Sequence, residues 1–258
     1  PFRTVHHALA RAQDRHCTIT LRSGTYELDR TLEIAGPGMD DTALRTHAPD
    51  LAAGMPAAVL SGGRRISGAS EGDVWRADLA ALGVRRTDPP ERIFSLYVGG
   101  ERRQRVRSKL LRWNHSISSH DPCVSCEINH RGFVYGPDTF PRDWSLSPDA
   151  TSSWLLTAFH QWATDVHTVR GIFPDNRTLL VNEPTYQKYS FDDNVAGGQR
   201  FFVENVPELS LGKGHWRVLP NRTLEYRLRD GEDAATLEVV LPELKVLVNV
   251  SASTNVAM

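Results

Sequence analysis

The side chains best suited to chemistry stand close together, between His160 and His167. On a strand, His160, Trp162 and Thr164 would share one face. Asp165 and His167 would then lie on the opposite face. A tryptophan ring can stack on a sugar, and a histidine can hydrogen-bond a sugar hydroxyl. His160, Trp162 and Asp165 are therefore candidate carbohydrate contacts. The alternative is that both histidines are satisfied residues in the core of a β module.

The same histidines do not predict a metal site. Two histidines could bind a metal ion, but no third ligand follows at a suitable spacing. The pairs Asp40-Asp41 and Asp192-Asp193 lack the alternating oxygen ligands of a calcium loop. The sequence also has no G-x-S-x-G, P-loop or H-E-x-x-H motif. We expect neither a metal ion nor a cofactor.

Glu204 is the carboxylate that invites a catalytic interpretation, because Glu208 follows it and an aspartate pair precedes it. Glycoside cleavage needs two carboxyl groups, ~5–5.5 Å apart for retention and ~6.5–9.5 Å apart for inversion. The sequence does not fix such a separation. We therefore treat Glu204 as a fourth candidate carbohydrate contact. The alternative is that Glu204 and Asn205 satisfy backbone groups where two segments meet.

Four of the nine asparagines begin an N-x-[ST] triplet, whereas about one would arise by chance. This excess predicts surface glycans and an extracellular or secretory location. The predicted glycosylation sites are Asn114, Asn176, Asn221 and Asn249.

The three cysteines fit an oxidising compartment. Cys123 and Cys126 form a C-x-x-C motif without the second ligand pair of a zinc site and without a βαβ setting. We expect a local disulfide between them. Cys17 is expected to be a buried core thiol.

Charge and hydropathy exclude two classes of partner. The formal net charge is −1, which argues against a nucleic-acid surface. No apolar run approaches the ~20 residues of a membrane-spanning helix. A carbohydrate ligand or other extracellular protein chains remain as expected partners.

Short β-like runs dominate the chain and must position these residues. Apolar spacing predicts one helix, from Thr4 to Arg15, with Thr4 as its cap. Arg92–Ser108 is predicted to form a hairpin about Gly99-Gly100, with its arginines on a solvated face. The predicted domains are residues 1–89, an N-terminal cap with the first strands; residues 90–199, an inserted antiparallel β module; and residues 200–258, a return to the first architecture.

Several segments, in order along the chain, resemble a known group of proteins. They are "FRTVHHALARA", "ITLRSGTYELDRTLEI", "AVLSGGRRISG", "LYVGGERRQRVR", "FHQWATDVHTVRGI" and "RFFVENVPEL". The chain is similar to right-handed parallel β-helix proteins of the carbohydrate-active, pectin lyase-like type. These include β-xylosidase-like and fucosidase-like glycoside hydrolases. It departs from their pattern at Ser210–His215 and at Pro220–Thr223.

The resemblance implies an all-β fold: the start of a right-handed parallel β-helix with an N-terminal capping helix and an inserted antiparallel β module. It implies that the chain is the N-terminal portion of a secreted, carbohydrate-active glycoside hydrolase relative acting on polysaccharide or glycan. The catalytic acids of such hydrolases lie further along the coil, so they are expected outside this chain. The alternative is a non-catalytic extracellular structural or adhesion protein on the same scaffold.

Overall fold

A computed structural model describes residues 2–84, 95–117, 130–160, 163–185, 191 and 199–258. Its elements in chain order are α1 Val5–Ala12, β1 Thr18–Leu21, β2 Thr25–Glu27, β3 Leu32–Ala35, a 3-10 helix Pro37–Met39, β4 Ala43–Thr46, α2 Ala48–Ala52, β5 Val59–Ser61, β6 Gly63–Ile66, β7 Ala69–Glu71, β8 Val74–Asp78, β9 Leu96–Val98, β10 Glu101–Arg105, β11 Leu111–Ser116, β12 Gly132–Tyr135, α3 Pro148–Thr151, β13 Leu155–Phe159, β14 Thr164–Phe173, β15 Thr178–Val181, β16 Arg200–Glu204, β17 His215–Val218, β18 Thr223–Arg227, β19 Val239–Pro242 and β20 Val248–Ser251. The chain divides into two compact units, Pro1–Arg65 with Val240–Met258, and Ile66–Val239. The predicted boundaries at residues 89/90 and 199/200 stay predictions.

The first unit begins with the predicted helix. The Oγ1 atom of Thr4 accepts a hydrogen bond from the backbone N–H of His7 at 3.2 Å, as an N-cap does. The apolar residues Val5, Leu9 and Ala12 are buried, so the helical spacing read from the sequence is confirmed.

Six strands of this first unit form parallel pairs. β1 pairs with β4, β2 with β5, and β3 with β20. The β3–β20 pair joins Leu32–Ala35 to Val248–Ser251, segments far apart in the chain. Leu32 and Ile34 are fully buried and lie in the core of the unit.

The prediction of a parallel β-helix is wrong, although the all-β content is confirmed. In the second unit most neighbouring strands run antiparallel, and six of them close into a ring. Short apolar runs between turns are typical of parallel and antiparallel strands alike, so the pattern did not determine strand direction. The tight turn between β17 and β18 shows the difference, because it reverses the chain and pairs Trp216 with Tyr226.

In the second unit, six strands of one sheet lie in the order β9-β10-β17-β18-β8-β7. The β9–β10 hairpin turns at Gly99 and Gly100, whose φ angles of 58° and 78° favour glycine, and it confirms the predicted hairpin. The predicted solvated arginine face is wrong in part. Arg103 and Arg105 alternate with exposed neighbours and point inward, where carboxylates neutralise them.

The ring of antiparallel strands is a closed barrel with the order β11-β12-β15-β14-β13-β16. Aromatic side chains fill it. Trp113 stacks on Phe133 with ring centroids 5.0 Å apart, and both contact Phe191 and Phe201. This barrel positions the residues that the sequence marks for chemistry.

A charged cluster in the first unit ties β1 to α2. The buried carboxylate of Asp50 accepts hydrogen bonds from Arg22 Nε at 2.7 and 3.0 Å and from the Ser23 backbone N–H at 2.8 Å. His47 Nδ1 lies 3.1 Å from the same carboxylate. The hydrogen bond from Arg22 is the main cause that holds the pKa of Asp50 well below its usual range.

Replacing Asp50 with asparagine should lower the urea midpoint of the first unit at pH 7. A carboxyl group with a depressed folded-state pKa stabilises the fold above its unfolded pKa of ~3.9, and loses this effect as the pH falls toward the folded value. The difference between wild type and Asp50→Asn should therefore shrink below about pH 4. Asp29→Asn, at an exposed ion pair with Arg30, is the control. A deficit that is constant from pH 7 to pH 2 would contradict the assignment.

Candidate functional site

The hairpin of β13 and β14 brings the predicted histidine cluster together. Ala158 lies opposite Asp165, and Leu156 lies opposite His167, so all four side chains point to the same side of the sheet, into the barrel. Asp165 Oδ2 is 3.5 Å from His160 Nε2. The same oxygen is 3.8 Å from His167 Nε2. The prediction that His160 faces away from Asp165 and His167 is wrong, because the chain reverses after residue 160.

This cluster lies in the interior of the barrel. The side chains of His160 and His167 are 0% and 4% exposed, and that of Asp165 is 23% exposed. Phe191 contacts both imidazole rings, with centroids 6.0 and 5.9 Å away. Burial lowers the pKa of His167, against the opposing effects of the Asp165 and Glu183 carboxylates. A neutral, buried histidine suits the alternative interpretation, a core residue of the module.

The sugar-contact roles of His160 and Asp165 stay predictions, and Trp162 lies outside the described residues. Within the ranges that the structure describes, no three His, Cys, Asp or Glu side chains are grouped so that they could hold a metal ion.

Glu204 ends β16 and is engaged by a buried cation. Its Oε2 atom accepts a hydrogen bond from Arg105 Nη1 at 3.0 Å. The neighbouring Asn205 bonds backbone groups on both sides of the junction: its Nδ2 donates to Ser153 O at 2.9 Å, and its Oδ1 accepts from Val218 N at 3.2 Å. The alternative, that the pair satisfies backbone groups, is confirmed for Asn205. Glu204 instead accepts a hydrogen bond from the Arg105 side chain.

The four predicted glycosylation sites are exposed. Asn249 also donates from Nδ2, the atom that would carry a glycan, to Glu33 Oε2 at 2.7 Å. Modification at Asn114, Asn176, Asn221 and Asn249 stays a prediction. Cys123 and Cys126 lie outside the described residues. Cys17 is free and half-buried, so the prediction of a buried core thiol is wrong.

A cleft of about 680 Å³ opens on the barrel at the ends of β12 and β14. Its lining residues are Tyr135, Pro137, Phe140, Pro141, Arg142, Trp144, Leu146, Ser147, Ile172, Phe173, Pro174, Asp175 and Arg177. None of these residues was among the candidates that the sequence indicated. The missed signal is the content of aromatic and charged side chains between prolines in the segment after β12, "GPDTFPRDWSLSP".

Aromatic packing fixes one wall of the cleft. Tyr135 packs edge-on against Phe140 with centroids 4.9 Å apart. Trp144 is half-buried and packs edge-on against the fully buried Trp154 at 5.6 Å. The Trp144 ring therefore rests on the barrel core and keeps part of its surface open. Phe173 also lines the cleft and is 42% exposed.

Two hydrogen bonds anchor the chain directly after Trp144. The backbone N–H of Ser145 donates to Glu208 Oε1 at 2.8 Å. Ser147 caps α3, accepting from the backbone N–H of Ala150 at 3.3 Å. These bonds restrain the backbone next to the tryptophan.

No helix in the described ranges is long and apolar enough to cross a membrane.

Comparison with known proteins gives a likeness of fold. No family model matches this chain, and no curated protein matches it. A solved structure named "Glycoside hydrolase" is similar, with a TM-score of 0.65 and 19% sequence identity. The match covers 96% of this chain and 44% of that structure, so the chain spans less than half the length of the protein it resembles. The chain therefore has a fold similar to part of that structure.

Proposed function

We propose that this chain is a glycan-binding part of a secreted, glycoside hydrolase-like protein, and that sugar binds in the cleft beside Trp144. The observation that carries the proposal is the pairing of exposed aromatic faces with polar side chains in one cleft. The fold likeness to a glycoside hydrolase supports it, and the exposure of all four N-x-[ST] asparagines is compatible with secretion.

The chemistry of the cleft suits a sugar. One face of a pyranose ring presents C–H groups, which pack on an aromatic ring such as Trp144 or Phe173. Sugar hydroxyls need donors and acceptors, and Arg142, Asp175 and Arg177 supply both kinds. The volume of about 680 Å³ falls in the range of ~300–1,000 Å³ that small-molecule sites occupy.

The cleft is proposed to bind glycan without cleaving it. Cleavage in most glycoside hydrolases needs a pair of carboxyl groups across the bond. Asp175 is the one carboxylate among the residues that line the cleft. The acid pair is therefore proposed to lie outside this chain, as the sequence resemblance implies.

Trp144→Ala should weaken binding of the glycan by about tenfold or more, because the ring that stacks on the sugar is lost. Phe173→Ala, which removes the other exposed aromatic ring that lines the cleft, should weaken binding as well. Calorimetry on a panel of plant and bacterial oligosaccharides would identify a ligand and measure both variants. Circular dichroism would show that they remain folded.

Phe2→Ala is the matched control, because Phe2 is an exposed aromatic residue of the other unit. Its affinity should equal that of the wild type. A folded Trp144→Ala protein that binds the same glycan with unchanged affinity would overturn the proposed site.

A further inference from the structure

We infer that the glycan bound in this cleft carries a negatively charged group, a carboxylate or a sulfate, which Arg177 and Tyr135 recognise together. The inference rests on the proposed function of the cleft and names the class of sugar.

Two arginine side chains bring positive charge to the cleft. Arg142 and Arg177 are exposed and line the cleft. In the described part of the chain, neither side chain forms an ion pair or a hydrogen bond. Arg76 and Arg217 of the same unit, in contrast, are paired with carboxylates. The cleft thus presents two guanidinium groups that are free to bind an anion.

Backbone hydrogen bonds fix the position of Arg177. Its backbone has a φ angle of 54°, in the left-handed region that non-glycine residues seldom adopt. Its N–H donates to Pro174 O at 3.3 Å, and its carbonyl accepts from Tyr135 N at 2.9 Å. The turn is therefore tied to the end of β12. Strain of this kind is often retained where a side chain has a role.

Tyr135 brings a buried hydroxyl group to the cleft. The residue is 4% exposed, and its hydroxyl has no hydrogen-bond partner among the described residues. A buried hydroxyl without a partner costs free energy, so a ligand atom that accepts its proton would be favoured. Burial raises the pKa of Tyr135, and the Arg177 cation nearby opposes that effect. The phenol therefore stays protonated and acts as a donor.

Together these groups match an oxyanion. A guanidinium presents parallel N–H donors to two oxygens of one carboxylate or sulfate, and charge-assisted hydrogen bonds are about twice as strong as neutral ones. The Tyr135 hydroxyl adds a neutral donor. Asp175 also lines the cleft, but as one carboxylate against two guanidinium groups it suits a sugar hydroxyl and leaves the balance positive.

The test uses three probes with one backbone: a neutral gluco-oligosaccharide, the oligoglucuronate made by oxidising its C6 positions, and an O-sulfated derivative. We expect at least one charged probe to bind about tenfold more tightly than the neutral probe at low salt. The preference should fall as salt rises. Which charged probe wins distinguishes carboxylate from sulfate.

Variants locate the recognition. Arg177→Gln should remove most of the charge preference, measured as the ratio of the affinities for the charged and the neutral probe. Tyr135→Phe should reduce the same ratio by a smaller factor. Asp175→Asn should increase affinity for the charged probes. Arg102→Gln, at an exposed arginine outside the cleft, is the matched control.

The outcomes separate the two proposals. Equal binding of charged and neutral probes, or a charge preference that survives Arg177→Gln, would overturn this inference while the proposed function stands. Binding of no probe, with Trp144→Ala indistinguishable from wild type across the wider glycan panel, would overturn the proposed function and this inference with it.

Discussion

Replacing Trp113 with alanine should destabilise the Ile66–Val239 unit by about 3–5 kcal/mol. The side chain is 2% exposed and lies at the centre of the barrel core. Its ring stacks on Phe133 at 5.0 Å and meets Phe191 edge-on at 5.4 Å. Its Nε1–H donates to the Phe191 carbonyl at 3.0 Å. Alanine would leave a cavity and remove the donor from a buried carbonyl.

Urea denaturation followed by circular dichroism would measure the loss. Trp113→Phe refills most of the volume but leaves the Phe191 carbonyl without this donor, so it should cost less, about 1–3 kcal/mol. Trp144→Ala is the matched comparison, because Trp144 belongs to the same aromatic group and is only half-buried. A loss for Trp113→Ala no larger than for Trp144→Ala would show that the barrel core is not centred on Trp113.

The sequence predicted where strands lie better than how they pair. The Gly99-Gly100 hairpin followed from local turn chemistry, since the two glycines adopt positive φ. Pairing across a long chain distance has no such local signal. Val248–Ser251 pairs with Leu32–Ala35. Nothing in the sequence of either segment indicates that it pairs with the other. The parallel β-helix was expected from a resemblance of short segments, and the short strands and turns of those segments are also found in the antiparallel barrel.

Buried charges were missed for the same reason. Arg103 and Arg105 alternate with exposed residues, which is the pattern of a strand with one face inward. A run of arginines suggests a solvated face unless carboxylates are known to lie opposite. Their partners Glu232 and Glu204 are 129 and 99 residues further along the chain. Sequence spacing alone could not join them.

The candidate site shows the same limit: the residues that are close in the chain were predicted, and the cleft formed by distant segments was not. His160, Asp165 and His167 were correctly singled out as a group, since a short hairpin keeps near neighbours together. The prediction of the sheet face that each side chain occupies was wrong, because the chain reversal places opposed residues of β13 and β14 on one side. The cleft was missed because its walls come from the loop after β12 and the turn after β14, which only the barrel brings together.

Glu225→Gln should destabilise the second unit by about 3 kcal/mol at pH 7, since removing one partner from a buried ion pair leaves uncompensated charge. Glu225 is 7% exposed and lies between two arginines on the neighbouring strands β8 and β17. Its two oxygens accept from Arg76 Nε and Arg217 Nε, each at 2.8 Å. Without the carboxylate, two guanidinium groups would flank β18 with no negative charge between them.

The effect should depend on pH in a defined direction. Burial alone would raise the pKa of Glu225, but the hydrogen bonds from Arg76 and Arg217 outweigh it, and the pKa is lowered. A lowered folded-state pKa means that the stabilisation is present above the unfolded pKa of ~4.3 and is lost as the pH falls through the folded value. The gap between wild type and Glu225→Gln should therefore narrow below about pH 4.

Glu71→Gln is the matched control, because Glu71 also pairs with Arg76, at 2.6 Å, but is exposed. An exposed pair of this kind contributes about 0–1 kcal/mol, so this variant should remain close to wild type. Urea midpoints from pH 7 to pH 3 would compare the three proteins. Equal losses for Glu71→Gln and Glu225→Gln, or a Glu225→Gln deficit that does not narrow in acid, would show that burial of the central carboxylate does not set the strength of this network.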